Sequence, residues 1–330
     1  MTRDSSYGSL GGHILAIAAP ALAGVATGLL AVALAWLALA PQPGPPESPP
    51  VLVQALPLPE RPRPAPVAAI APPPDVAETP ALRPAWQRFA AAHHAPAEWP
   101  RVVVVIDDVG PDRTGASRIL ALPPPLTISI LPYAERAGED AAEARRRGHE
   151  VMLHLPMEAV SANENPGPQA LRVQLAQDEL RRRLDWNLDR FDGYAAVNNH
   201  MGSRATADES VMTAVMAALA VRGLAWLDSR TTPRSLGLSA AAAHGVIAAG
   251  RDLFLDNDLS RPAIDAQLAA LTRLARQRGI AIAIGHPHAA TIEALSAWLP
   301  GLAAQQIALV PFSAALAPLP DNRAALLSGR

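Results

Sequence analysis

Four short strings in this sequence place reactive side chains close together. Ile106-Asp107-Asp108-Val109-Gly110 sets two carboxylates side by side. Adjacent carboxylates repel, so burying both requires a cation or a bound proton. One arrangement puts a metal on one aspartate and leaves its neighbour as a base. The string Gly148-His149-Glu150-Val151-Met152-Leu153-His154 ends in a histidine, with Glu158 four residues further on. Asn198-Asn199-His200-Met201-Gly202-Ser203 is densely polar, and Ile284-Gly285-His286-Pro287-His288 carries two histidines after an apolar run. Leu227-Asp228-Ser229-Arg230 and Phe254-Leu255-Asp256-Asn257-Asp258 are weaker strings of the same kind. Any one of these reads equally well as a turn whose side chains bond to nearby backbone. Together they place four of the nine histidines, His154, His200, His286 and His288, at strand ends, which favours a shared site over separate structural roles.

Composition narrows the chemistry. The chain has no cysteine, so a thiolate ligand, a cysteine nucleophile and disulfides are excluded, and any metal must be held by His, Asp or Glu. A net charge of -2 gives no bulk attraction for nucleic acid, and no nucleic-acid partner is expected.

The elements that must position these residues alternate. Apolar runs at 102–106, 126–131, 150–154, 194–198, 224–227, 280–284 and 307–310 read as buried strands. Helical patterns fill 134–147, 177–191, 207–222, 264–278 and 292–303, with Thr206-x-x-Glu209 as a capping box and Ser260 as a cap before Pro262. Gly148, Gly223 and Gly279 follow helices, where a left-handed residue ends the turn. About seven strands alternating with helices predict an α/β fold with a parallel sheet, open or closed into a barrel. The polar strings sit where the strands end, the edge at which barrel enzymes gather their chemistry.

Ahead of this domain lie two other regions. Residues 14–40 form an uncharged apolar run, long enough to span a bilayer. Ala38-Leu39-Ala40 resembles a signal-peptide cleavage site, but Pro41 follows it directly. The run is read as a membrane anchor in region 1–40, with a removed signal as the alternative. More than half of the 34 prolines fall in 41–100, which reads as an extended disordered linker. The globular domain is assigned to 101–330. The expected location is the inner membrane, single-pass, with the domain on the periplasmic side.

The strings resemble those of the metal-dependent polysaccharide deacetylases. An aspartate pair after the first strand, a Gly-His-Glu lead-in to a metal histidine and a late histidine after an apolar strand are matched by Asp107-Asp108, by Gly148-His149-Glu150 with His154, and by His286. His154-Leu155-Pro156-Met157-Glu158 and Asn198–Ser203 are similar to strings of the divergent polysaccharide deacetylase branch. The resemblance spans about 101–316. It implies a distorted (β/α) barrel and removal of N-acetyl groups from an envelope carbohydrate polymer. It also implies Zn²⁺ or a similar divalent metal on Asp108 and His154, Asp107 as base and His286 as acid. Asn199, Asp228 and His288 become candidates for orienting these groups or for binding sugar hydroxyls. Two departures stand out. Glu158 occupies the place of the second metal histidine, and the Arg-x-Pro-aromatic motif is missing. Either Glu158 or His200 then completes the metal site. A membrane-anchored envelope protein using the same fold to bind glycan or a partner, without catalysis, is the alternative function.

Overall fold

The computed structural model describes residues 83–316, so the apolar run and the linker up to residue 82 lie outside the described residues. No helix among the described residues is long and apolar enough to cross a membrane.

The frame is a sheet of nine strands, and every pairing in it is parallel. They are β1 (Arg101–Val109), β2 (Thr127–Ile130), β3 (Glu150–Met157), β4 (Ala196–Met201), β5 (Ala225–Asp228), β6 (Ala248–Gly250), β7 (Leu253–Phe254), β8 (Ile280–Gly285) and β9 (Ala308–Leu309). Their order is β6-β5-β4-β3-β2-β1-β8-β7, with β9 beside the first residues of β1. The ends of this path, β6 and β7, are joined in sequence by Arg251 and Asp252 but share no ladder, so the sheet is curled with a seam. β6 and β7 were not expected from the sequence, because Ala-Ala-Gly and Leu-Phe are too short to give a period.

The β-branched run Val102–Ile106 serves two cores, because successive side chains leave opposite faces of a strand. Val102, Val104 and Ile106 join the outer core, with Ala116 and Ile119 of α2 (Arg113–Leu120) and Ala141 and Ala144 of α3 (Ala137–Arg146). The same outer core takes Leu180 and Leu184 of α4 (Gln177–Leu188), and Val215 and Leu219 of α5 (Glu209–Arg222). Val103 and Val105 face inward with Met152, Ala196, Ala225, Leu227, Ile282, Ile284 and Phe312. Both faces are covered, which is why the strands read as apolar runs without alternation.

Local signals account for the helix ends. Asp112 caps α2 by accepting from the backbone N–H of Thr114 and Gly115. The expected capping box at Thr206 is not formed. Asp208 caps α5 by accepting from Val211 N, while Thr206 Oγ1 donates to Gly202 O. Gly223 and Gly279 take the left-handed conformation after α5 and after α7 (Arg261–Arg278), as expected. Residues 83–100, which composition assigned to the spacer, lie against the domain. There α1 (Ala85–Arg88) buries Ala85, Trp86 N donates to Gly223 O, and Trp99 packs on the inner core. Their two tryptophans outweigh the local proline content.

Candidate active site

The alternation that buries Val103 and Val105 carries Asp107 to the same inner face. By the same count His154 follows Met152, Asn198 and His200 follow Ala196, Ser229 follows Leu227, and His286 follows Ile284. The sheet therefore holds a layer of polar groups at its strand ends, above the apolar interior. Asp108 should point the other way in a regular strand. It does not, because its φ is 58°, in the left-handed region, and the register of β1 against β2 shifts there. Both carboxylates thus approach one ring: His154 Nε2 lies 3.1 Å from Asp108 Oδ1 and 3.6 Å from Asp107 Oδ2. A non-glycine residue in that region carries strain that the surrounding structure must hold, a feature common at functional sites. Met201, next to His200, is also left-handed at φ 53°.

Three donor atoms converge on one point. His200 Nδ1 lies 2.8 Å from Asp108 Oδ1 and 3.2 Å from His154 Nε2, and His154 Nε2 lies 3.1 Å from the same Asp108 oxygen. Asp108 Oδ1 is buried yet accepts no hydrogen bond of ordinary geometry. Three ligands at about 2.0–2.1 Å from a tetrahedral metal would be roughly 3.3 Å apart. The orphaned oxygen and the spacing fit a divalent metal held by Asp108, His154 and His200.

Asn198 links this triad to Asp107. Its Oδ1 accepts from His154 Nδ1 at 2.8 Å and from Ser129 Oγ at 2.6 Å. Its Nδ2 donates to Asp107 Oδ1 at 2.8 Å and to Ser229 Oγ at 3.2 Å. With its proton on Nδ1, His154 must present a lone pair at Nε2, the form a metal needs. Burial holds the Asp107 carboxyl above the ordinary range, against the pull of His154, His286 and the Asn198 amide. Burial also opposes ionisation of Asp108, but the two imidazoles beside it hold its carboxyl far below the usual value.

His286 stands on the other side of Asp107. Its Nδ1 donates to Asp256 Oδ1 at 2.9 Å, and its backbone N–H donates to Asp256 Oδ2 at 2.6 Å. Thr291 Oγ1 donates to Asp256 Oδ2 at 2.8 Å, which fixes the carboxylate. Burial disfavours the imidazolium, yet Asp256 and Asp107 raise the His286 pKa to about 9. The site thus sets a buried carboxyl group and an imidazole drawn towards its charged form side by side, next to a three-ligand cluster.

Comparison with known proteins shows the family. The model of the divergent polysaccharide deacetylase family matches residues 104–316, well over half of the chain. The chain belongs to the divergent polysaccharide deacetylase family. It is 35% identical over 195 residues to the uncharacterized protein YibQ of Escherichia coli strain K12, covering 59% of this chain and 61% of YibQ, less than two thirds of that relative's length. It is 37% identical over 203 residues to an uncharacterized Haemophilus influenzae protein, covering 61% of this chain and 72% of the other. The crystal structure of the uncharacterized protein ATU2773 from Agrobacterium tumefaciens C58 superposes with a TM-score of 0.68 at 28% identity, covering 70% of this chain and 95% of that one. That likeness supports the barrel-type fold expected for a divergent polysaccharide deacetylase.

Within this family member, not every expected residue joins the centre. Glu158 is outside the convergent group. Its Oε2 accepts from Val173 N at 2.8 Å, and its Oε1 lies 3.5 Å from Arg204 Nη1. Glu158 N also donates to Leu171 O, so β3 continues into a bridge that turns the carboxylate towards residues 171–173. Asn199 works as a brace: its Oδ1 accepts from Ser229 N, and its Nδ2 donates to Met201 O. Asp228 accepts from Arg230 N and from Ser235 Oγ. His288 is exposed, with its ring 5.9 Å from that of His286. Asn198 and Asp256 both stand in the polar strings of the sequence, but residue type alone does not single them out as site residues. Their signal was parity along the strand for Asn198 and a following late histidine for Asp256.

Proposed function

We propose that this domain is a metal-dependent hydrolase that removes N-acetyl groups from an envelope carbohydrate polymer. The convergence of Asp108, His154 and His200, flanked by Asp107 and His286, carries the reading. Held there, Zn²⁺ or a similar divalent ion supplies Lewis acidity that polarises a carbonyl and acidifies water. With one carboxylate and two neutral imidazoles the loaded site has a net charge of +1, which suits that task better than a set containing Glu158. Asp107, oriented by Asn198, accepts a proton from the attacking water. His286, held protonated by Asp256, gives a proton to the departing amine. Water attack and amine departure then complete the hydrolysis, with acetate and a free amino sugar as products.

Metal analysis of the full-length protein, combined with acetate release from N-acetylated oligosaccharides, tests this. Asp108→Ala and His200→Ala should each lose the metal, whereas Glu158→Gln should retain it. Retention of metal by His200→Ala and loss by Glu158→Gln would reassign the third ligand. A metal-loaded protein that binds glycan but releases no acetate would point to the non-catalytic binding function.

A further inference from the structure

Beside this site, two guanidinium groups at the seam have no carboxylate partner within 4.0 Å among the described residues. Arg251 lies in the link between β6 and β7 and is half-buried. Its Nε donates to Ser229 O at 2.8 Å and its Nη2 to Arg230 O at 3.1 Å, while Nη1 has no acceptor among the described residues. Its guanidinium carbon sits 3.7 Å from the centre of the Phe254 ring, which in turn stacks on His286 with centroids 6.0 Å apart. Arg230 is exposed and left-handed at φ 49°. Its guanidinium lies so close to Gly250 that a β-carbon there would come within 2.4–2.7 Å of Nε, Cζ and Nη2. A concavity of about 500 Å³, lined by Asp228, Arg230, Thr232 and Ser235 among others, opens next to it.

The nearby acids are already engaged. Both Asp228 oxygens accept hydrogen bonds. Asp252 pairs with Arg278 at 2.9 Å and accepts from Ile282 N, and Asp107 is held by Asn198. Burial and the neighbouring Arg230 disfavour the charge on Arg251 and outweigh the pull of Asp107, Asp228 and Asp252. Two adjacent cations, one half-buried, are costly until an anion joins them, and a planar guanidinium suits carboxylate or phosphate oxygens.

We propose that Arg230 and Arg251 form an anion-binding subsite adjoining the candidate active site, so that the carbohydrate substrate carries a carboxylate or phosphate near its N-acetyl group. This inference rests on the deacetylase reading for the identity of the polymer, but not for the existence of the subsite. The test uses the full-length protein and N-acetylated oligosaccharides of equal length in neutral, carboxylated and phosphorylated forms. Calorimetry should show at least one acidic form binding about tenfold or more tightly than the neutral one, a margin that shrinks with added salt; which acidic form gains identifies the anion. Arg230→Gln alters an exposed side chain and should reduce the acidic-to-neutral ratio about tenfold, with Arg230→Lys recovering part of it. Arg251→Gln should act in the same direction. Equal binding of all three forms, no binding of any, or a ratio unchanged in Arg230→Gln would overturn the subsite. Arginine-dependent acidic binding without acetate release would sink deacetylation while supporting the subsite. Acetate release from neutral and acidic forms with equal kcat/KM would do the reverse.

Discussion

Asn198 has one acceptor end and one donor end, and the site uses both. A carboxylate can only accept, so the amide must aim its nitrogen at Asp107 and its oxygen at His154. Asn198→Ala should therefore lower metal affinity by about 10–100-fold, the usual cost of losing a group that orients a ligand. Asn198→Asp should do something different: it sets a second carboxylate against Asp107 and should raise the pH at which metal binding is half complete. Isothermal titration with Zn²⁺ across pH 5–9 separates the two effects, and identical curves for both variants would remove Asn198 from this role. Asp256 gives a second residue-level prediction. Asp256 leads the groups that, with Asp107 and Asp108, raise the His286 pKa from 6.5 to about 9 against burial, so the stability its contact adds is full below 6.5 and lost as pH rises through 9. Asp256→Asn should move the His286 NMR titration towards 6.5. The stability gap between wild type and variant should be wide at pH 6 and narrow above pH 9. A His286 titration that does not move would show that Asp256 plays no such part. The reactive residue types, Asp107, Asp108, His154, His200 and His286, were legible in the sequence. Glu158 reads as a ligand, alternative to His200, only because it holds the place of the second metal histidine in the resembling motif; its turn towards residues 171–173 depends on a bridge the sequence does not announce.

At the level of strands and helices, the apolar runs announced seven parallel strands and their helical crossovers. What they did not announce was which face each residue joins, since a strand buried on both sides has no hydrophobic alternation to count. Asn198 shares its parity with His200 in the sequence, but only the pairing of β3 with β4 sets it level with His154. The opposite end of β3 shows another element-scale effect. Glu150 is buried there, with Oε1 accepting from Ser313 N at 2.9 Å, so it ties the strand to α9 (Phe312–Leu316). Burial raises its carboxyl pKa from 4.5 to about 7. The folded state therefore binds this proton more tightly than the unfolded one. The stability it supports is present below pH 4.5 and declines as pH rises through 7. Glu150→Gln keeps an acceptor for Ser313 and removes the ionisation. Its unfolding free energy from denaturant titrations should fall less than that of wild type between pH 5 and 8, by on the order of 2–3 kcal/mol at most. Parallel curves for the two proteins would refute the assignment.

For the whole molecule, the composition of residues 14–40 and 41–82 motivates a proposal of placement: an anchored domain held on a proline-rich spacer on the periplasmic side of the inner membrane. A reporter fused after residue 316 should be active only outside the cytoplasm, and the protein should sediment with membranes. Cytoplasmic reporter activity would overturn that placement. The seam has a consequence of another kind. Backbone hydrogen bonds hold every other neighbouring pair along the sheet, but no ladder joins β6 to β7; there Arg251 N donates to Asp228 O, Asp252 N donates to Ile282 O, and the Arg251 side chain reaches back to Ser229 and Arg230. Openings that cost least free energy should begin there, so the amide protons of Leu253 and Phe254 should exchange with deuterium faster than those of β1. An anion drawn to Arg251 would tighten the same clasp, and the exchange rate at these two amides would then record occupancy of the sheet's edge without any chemistry taking place.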